Sequence, residues 1–286
     1  MSGAVKSEQA SAWTTFWEEQ GPQSRCLAAA SPRVHQNLSD HWRSFAVSLK
    51  PATRVLDVGC GAGNVARAFA AQRCDLNVIG VDVADIEFCK QPRVELLAAT
   101  AMESLPFARA SFGAAVSQFG YEYARAEQAA RELGRVLAGG ARFSFLIHHA
   151  HSPISRSERI HNQALKALMG EALCSAFLSA DRAALDWQMR LLARRFAGEE
   201  IIALVAKGLR TGVGGSLNER TRIWQAIVSA IAPDRTLSDA LLRCCVAPEE
   251  LDDWLAPLRP TFEISPPSVL TAGEPLAWRI EGTRLS

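Results

Sequence analysis

Arg54-Val55-Leu56-Asp57-Val58-Gly59-Cys60-Gly61-Ala62-Gly63-Asn64-Val65-Ala66 reads as a buried strand, a glycine turn and the start of a helix. Val55, Leu56 and Val58 follow the break at Pro51 as a short apolar run, the pattern of a parallel strand covered on both faces. Gly59, Gly61 and Gly63 let the backbone turn sharply and approach a ligand closely, because no Cβ intervenes. From Asn64 the chain turns helical with Val65, Ala66 and Phe69 inward, and the free N–H groups of that helix start suit an anionic or carboxylate-bearing ligand.

Working outward, Leu76 to Asp82 reads as a second strand ending in an acid 19 residues beyond Gly63. A strand–helix–strand unit needs that spacing to bring a carboxylate beside the ribose hydroxyls of a nucleotide held on the turn, although Asp85 and Glu87 stand close to Asp82. Val94 to Ala98 is a third strand, and Phe112 to Ser117 a fourth, followed by Gln118-Phe119-Gly120-Tyr121-Glu122-Tyr123 at its C-terminal end, where open parallel sheets bind ligands. A helix from Ala124 to Leu137 stops at Gly139-Gly140, and Arg142 to His148 forms the fifth strand. Thr261 to Ile264 and Leu276 to Ile280 are expected to pair as an antiparallel hairpin. The alternation predicts a doubly wound, mainly parallel α/β sheet of seven strands with an antiparallel last strand.

Two further regions flank this core. Trp13, Phe16 and Trp17 lie at helical spacing before Gly21-Pro22, and a second helix is expected from Ser39 or Asp40 to Leu49. Residues 151–245 show helical periods without a convincing strand, interrupted at Gly198 and by a loop from Gly208 to Ser216. The expected organisation is a helical lid over 1–50, a core made of 51–150 and 246–286, and a helical insertion over 151–245.

Bulk properties narrow the function. Lys plus Arg number 31 and Asp plus Glu 30, so no global field holds a nucleic acid; the modest Arg190 to Arg222 patch reads as a solvated helical surface. No apolar stretch is long enough to span a bilayer and no signal-peptide core precedes residue 16, so the reading is a soluble, cytoplasmic protein without a membrane or nucleic-acid partner. The 7 cysteines lack CxxC spacing and read as reduced thiols.

The turn alone fits two cofactors, since Gly61-Ala62-Gly63-Asn64-Val65-Ala66 also has the GxGxxA form of a dinucleotide fingerprint, with Asp82 where an NAD-dependent oxidoreductase needs an acid. The wider sequence separates them. Asp57 to Gly63 resembles the first motif of class I, Rossmann-like S-adenosylmethionine (SAM) methyltransferases, of the small-molecule type. Gly80-Val81-Asp82 resembles the second motif, Leu105-Pro106-Phe107 with Ser111-Phe112 the adenine-side loop and fourth strand, and Glu132 to Gly140 the segment before strand five. Trp278-Arg279-Ile280 looks like the last β-strand. The resemblance covers about 52–150 and 246–286, and not the insertion. It implies that Gly59, Cys60, Gly61 and Gly63 hold the methionine portion of SAM, that Asp57 orients its amino group and that Asp82, with Val83 beside it, takes the ribose. Met102 and Glu103 would lie at adenine, with Gln118 and Phe119 at the sulfonium. The chain departs from the pattern at Ala101 and Gly113, where the family commonly carries aspartates; these departures keep a non-catalytic SAM-binding protein among the readings.

Methyl transfer from a sulfonium is an in-line displacement on a good leaving group, so alignment and exclusion of water matter more than a large catalytic set. A hydroxyl or acidic-carbon acceptor gains from a general base, and His148, His149 and His151 cluster at the end of strand five. Adjacent His148 and His149 point to opposite sheet faces, so one of them at most serves a given pocket; the same divergence argues against a metal. Tyr121, after strand four, is the third catalytic candidate, a shaper of an aromatic or hydrophobic acceptor together with Tyr123. The expected reaction is O- or C-methylation of a small, aromatic or polyketide-like metabolite with S-adenosylhomocysteine as product, by a chain whose sequence leaves a homodimer open.

Overall fold

The computed structural model describes residues 3–20, 31–85 and 92–286, so Glu87, Cys26, Cys89 and the Gly21-Pro22 stop lie outside the described residues. The chain divides into two compact units, residues 1–155 with 243–286 and residues 156–242. In the first unit α1 (Gly3–Gln20) and α2 (Pro32–Ser48) precede β1 (Arg54–Val58), α3 (Asn64–Gln72), β2 (Asn77–Val81), β3 (Val94–Leu97), β4 (Phe112–Gln118), α4 (Ala126–Val136) and β5 (Leu137–His148). After the second unit come α10 (Leu251–Leu255), β6 (Phe262–Ile264), β7 (Ser268–Thr271) and β8 (Pro275–Arg284).

Among the described residues eight strands form one sheet in the order β3-β2-β1-β4-β5-β8-β6, with β7 also on β8. β1 to β5 pair in parallel, and β8 runs antiparallel to β5 from Arg142↔Thr283 to His148↔Ala277. The doubly wound α/β architecture is the expected one, and the C-terminal end refines it. In place of a two-strand hairpin, β6 and β7 pair successive segments of β8, because Pro266-Pro267 lacks the N–H groups that would carry one strand through.

Two apolar layers cover the sheet. Leu56, Val58, Phe143 and Phe145 pack with α4 and α10 on one face. Val55, Val65, Phe69 and Val116 pack with Trp42 and Phe45 of α2 on the other. The strand period of two thus sends Asp57, next to Leu56, toward the α2 and α3 side. α2 begins seven residues earlier than the expected Ser39 start. Ser31 caps it by accepting from Val34 N, and Pro32 occupies the first turn, where its missing N–H is harmless.

In the second unit, α5 (Pro153–Leu168) and α9 (Leu217–Cys244) run out across its boundaries, while α6 (Glu171–Leu178), α7 (Arg182–Arg195) and α8 (Glu200–Gly212) lie within it. Its core gathers Leu165, Phe177, Leu185, Met189, Val205 and Leu209. The expected loop from Gly208 is shorter than the sequence suggests, since α8 continues to Gly212. A Cβ on Gly212 would come within 2.5 Å of Ile223, so this glycine serves close packing inside a helix.

Candidate active site

The glycine turn is stitched to the end of β2. Gly59 N and Cys60 N both donate to Val81 O, at 2.9 and 3.0 Å, and Gly63, at φ +78°, caps α3. Gly59 has φ +67°, and a Cβ there would stand 2.8 Å from Gly120 Cα, so the turn after β1 touches the turn after β4 backbone to backbone. Gly61 is covered by the Trp17 indole, which a Cβ would meet at 2.2 Å.

Two buried carboxylates flank the turn. Asp82 accepts from Gly61 N at 2.7 Å through Oδ2 and from Ala84 N at 2.9 Å through Oδ1; burial nonetheless pushes its pKa up. Asp57 accepts from Ala66 N at 3.2 Å through Oδ2, while its buried Oδ1 has no partner. Burial pushes the Asp57 carboxyl up to about 8, with the nearby Asp82 charge adding to the shift. Burial likewise holds the Cys60 thiol well above its ordinary value, which makes it a neutral packing group and not a nucleophile.

A cavity of about 510 Å³ opens over these groups, within the roughly 300–1,000 Å³ of small-molecule sites. Asp57, Gly59, Cys60, Gly61, Asp82, Val83, Met102, Glu103, Gln118 and Phe119 all line it, as does Ala101. Glu103 Oε1 accepts from Arg125 N at 3.0 Å, which holds it at the cavity edge. Phe119 takes φ +57°, a conformation a non-glycine residue holds only where its surroundings impose it; its N–H donates to Leu146 O at 2.8 Å. Gly113 stands away from the cavity at the start of β4, facing Thr53.

The expected catalytic residues do not reach the cavity. Tyr121 lies on the opposite face of the sheet, stacked on Phe145 at 4.6 Å and edge-on to Trp254, because the single 3-10 turn Tyr121–Tyr123 rotates it away. Its buried hydroxyl lacks a partner, and burial drives its pKa upward. His149 is stacked on Trp278 at 4.8 Å, and its Nδ1 accepts from His151 N. Burial lowers its pKa, with His151 adding to the effect. His148 stands behind the cavity wall, 4.4 Å from the Phe119 ring and 6.2 Å from that of Tyr123. Glu122 Oε1 holds it, 2.8 Å from His148 Nδ1, and also accepts from His148 N. Among the described residues no group of histidines, cysteines and acids could hold a metal ion.

Helices α1 and α2 supply walls that the motifs did not announce. Ala10, Trp13 and Trp17 of α1 line the cavity; Trp13 packs edge-on against Tyr123, and Asp85 N donates to Thr14 Oγ1. His35, Leu38, Ser39 and Trp42 of α2 line it too. Their i, i+3, i+4, i+7 spacing is one helix face, legible in sequence had the cap been placed at Ser31-Pro32. Trp42 Nε1 donates to Gln118 Oε1 at 2.6 Å.

Residues 56–145 match the family described as a methyltransferase domain. No curated protein matches the chain. Among solved structures, the chain is similar to a Burkholderia thailandensis 1,6-didemethyltoxoflavin-N1-methyltransferase with bound 1,6-didemethyltoxoflavin and S-adenosylhomocysteine. Identity is 10% over 96% of this chain and 88% of that one, with a TM-score of 0.49. A SAM-dependent methyltransferase from Aquifex aeolicus gives 11% identity over 86% and 89%, with a TM-score of 0.45. A complex of the Haloferax volcanii Trm112 methyltransferase activator with a methyltransferase gives 19% identity over 51% of this chain and 60% of that one, with a TM-score of 0.39. These likenesses are too loose to speak for substrate or partner. The family match separates the two cofactors that the glycine turn alone admits. Residues 56–145 are thus a methyltransferase domain, and the match supports a class I, SAM-dependent methyltransferase.

Proposed function

We propose that the cavity binds SAM and that the chain transfers its methyl group to a small-molecule acceptor. The observation that carries this reading is Asp57 Oδ1, a buried acceptor without a partner beside the glycine turn. An unsatisfied buried oxygen costs about 1–3 kcal/mol, more if charged, and an ammonium group in the cavity removes that cost. Asp82 fits the ribose, because each of its oxygens accepts one backbone N–H and keeps a lone pair for a hydroxyl. Gly59 leaves room for close backbone approach, and Ala101, Met102 and Glu103 offer adenine a wall without the aspartate common in the family.

When bound, SAM supplies an electrophilic methyl group on a sulfonium that leaves as a neutral thioether. The protein's part is to align and to dry. Trp13 and Trp17 on α1 cover the turn as a lid, and Leu38, Trp42 and Phe119 give the acceptor an apolar bed. With Tyr121 and His149 turned elsewhere and His148 committed to Glu122 behind Phe119, the site works by positioning more than by a side-chain base. Oxygen or carbon remains the proposed acceptor atom.

Calorimetry with S-adenosylhomocysteine and with NAD tests the cofactor. The wild type is expected to bind the former and not the latter, and Asp82→Ala to weaken binding at least about tenfold, as loss of a charged hydrogen bond predicts, while still melting cooperatively. Binding of NAD alone, or equal S-adenosylhomocysteine affinity in the variant, refutes the reading.

A further inference from the structure

The amide of Gln118 is fixed in a way that points to the acceptor. An indole N–H only donates, so the Trp42 contact at 2.6 Å identifies the near amide atom as oxygen and turns the NH₂ group away from α2. Gln118 and Trp42 both line the cavity, and Gln118 Nε2 has no partner among the described residues. The site therefore holds an oriented double donor without a protein acceptor among the described residues, on a bed made apolar by Leu38, Trp42 and Phe119. A ligand oxygen in the cavity would complete that donor pair. Further along the same face of α2, His35 lies seven residues from Trp42, about 10 Å at 1.5 Å rise per residue, with Ser39 between them. That gives the wall a polar outer end.

We propose that Gln118 is an acceptor-recognition residue and Trp42 its positioning residue, and that the acceptor is a flat, largely apolar molecule bearing a resonance-stabilised oxygen anion, an enolate or phenolate conjugated to a carbonyl. This deepens the methyl-transfer reading and rests on it. Such an acceptor enters ionised, so no protein base, His35 of the wall included, has to collect a proton. Its oxygen or α-carbon lone pair forms the new bond to the methyl carbon, the carbon–sulfur bond breaks with its electron pair left on sulfur, and anion and sulfonium both end neutral. The Gln118 NH₂ group holds the carbonyl oxygen over which the anion is delocalised, which fixes the face presented to the methyl group.

The test compares 1-phenylbutane-1,3-dione, which forms an enolate, with butylbenzene, which keeps the carbon skeleton and lacks both oxygens. Each is titrated by calorimetry into protein saturated with S-adenosylhomocysteine. The wild type is expected to prefer the dione at least tenfold. Gln118→Leu should erase that preference while butylbenzene binding stays within twofold, and Trp42→Phe should reduce it at least threefold, because the amide is then free to flip. The Trp42 indole ¹⁵N–¹H resonance should shift on adding the dione and not butylbenzene. An unchanged preference in Gln118→Leu, or failure of the dione to bind protein that does bind S-adenosylhomocysteine, overturns the proposal and leaves the cofactor reading standing. Failure of S-adenosylhomocysteine itself to bind overturns the cofactor reading, and this inference with it.

Discussion

On the proposed reading, Asp57 couples cofactor binding to pH. Its carboxyl is pushed up to about 8 by burial, so at neutral pH the free protein carries it mostly protonated. A cofactor ammonium against Oδ1 needs the ionised form. Binding below pH 8 therefore expels a proton, and affinity should rise with pH until the carboxyl is ionised before binding. One pKa unit corresponds to about 1.36 kcal/mol, so at pH 7 the affinity should lie about tenfold below its plateau, and at pH 6 about a hundredfold, roughly 2.7 kcal/mol. Calorimetric titration of S-adenosylhomocysteine at pH 6, 7 and 8, in two buffers of different ionisation enthalpy, reads both the slope and the proton count. The expected count is near one at pH 6 and declines through pH 8. Asp57→Asn cannot ionise, so its affinity should be weak and flat over the same range. The same shift has a sign for stability: between pH 4 and 8 the native state keeps a proton that the unfolded state has lost, so stability falls as pH rises. Asp57→Asn should accordingly melt above the wild type at pH 8, and by a smaller margin at pH 5. A wild-type affinity that does not change from pH 6 to 8, or a variant that keeps the slope, would refute the reasoning.

Three other perturbations follow from the geometry. Gly59→Ala forces a Cβ to 2.8 Å from Gly120 Cα at φ +67°, a clash of backbone on backbone; a loss of about 1–3 kcal/mol in urea unfolding is expected, with loss of cofactor binding. Trp17→Ala removes the indole that covers Gly61, so stopped-flow dissociation of S-adenosylhomocysteine should accelerate about tenfold, corresponding to about 1.4 kcal/mol, with the core fold retained. In the second unit His161 lies between Asp234 at 2.9 Å and Glu199 at 2.7 Å, and these hydrogen bonds, Asp234 first, raise its pKa to about 9. Its contribution is complete below pH 6.5 and lost as pH rises through 9. Discounted for solvent screening, it should amount to about 1 kcal/mol, read as the pH-dependent difference in unfolding between wild type and His161→Gln.

What the sequence discloses and what it conceals divide along one line, local against non-local. The strand, turn and helix around Gly59-Cys60-Gly61 are written in adjacent residues, and the acid at Asp82 comes at the spacing of one strand–helix–strand unit, so the cavity wall around the glycine turn is legible before any coordinates. The placement of Tyr121 is not legible because strand alternation ends at Gln118. One 3-10 turn then decides which face a side chain takes, and it sends Tyr121 to Phe145 and Tyr123 to Trp13. The start of α2 is misread because Ser31, Ser39 and Asp40 are all competent caps, and Pro32 alone favours the first. The acceptor side is harder still. Trp42 and Gln118 are 76 residues apart, and nothing in either stretch says that the indole will meet the amide oxygen. Yet that contact fixes which end of the Gln118 amide meets Trp42, and hence, on the proposal above, whether the acceptor supplies an acceptor atom or a donor. A motif can therefore reveal the methyl donor from one local stretch, whereas the methyl acceptor is read only where helix and sheet have already been packed together.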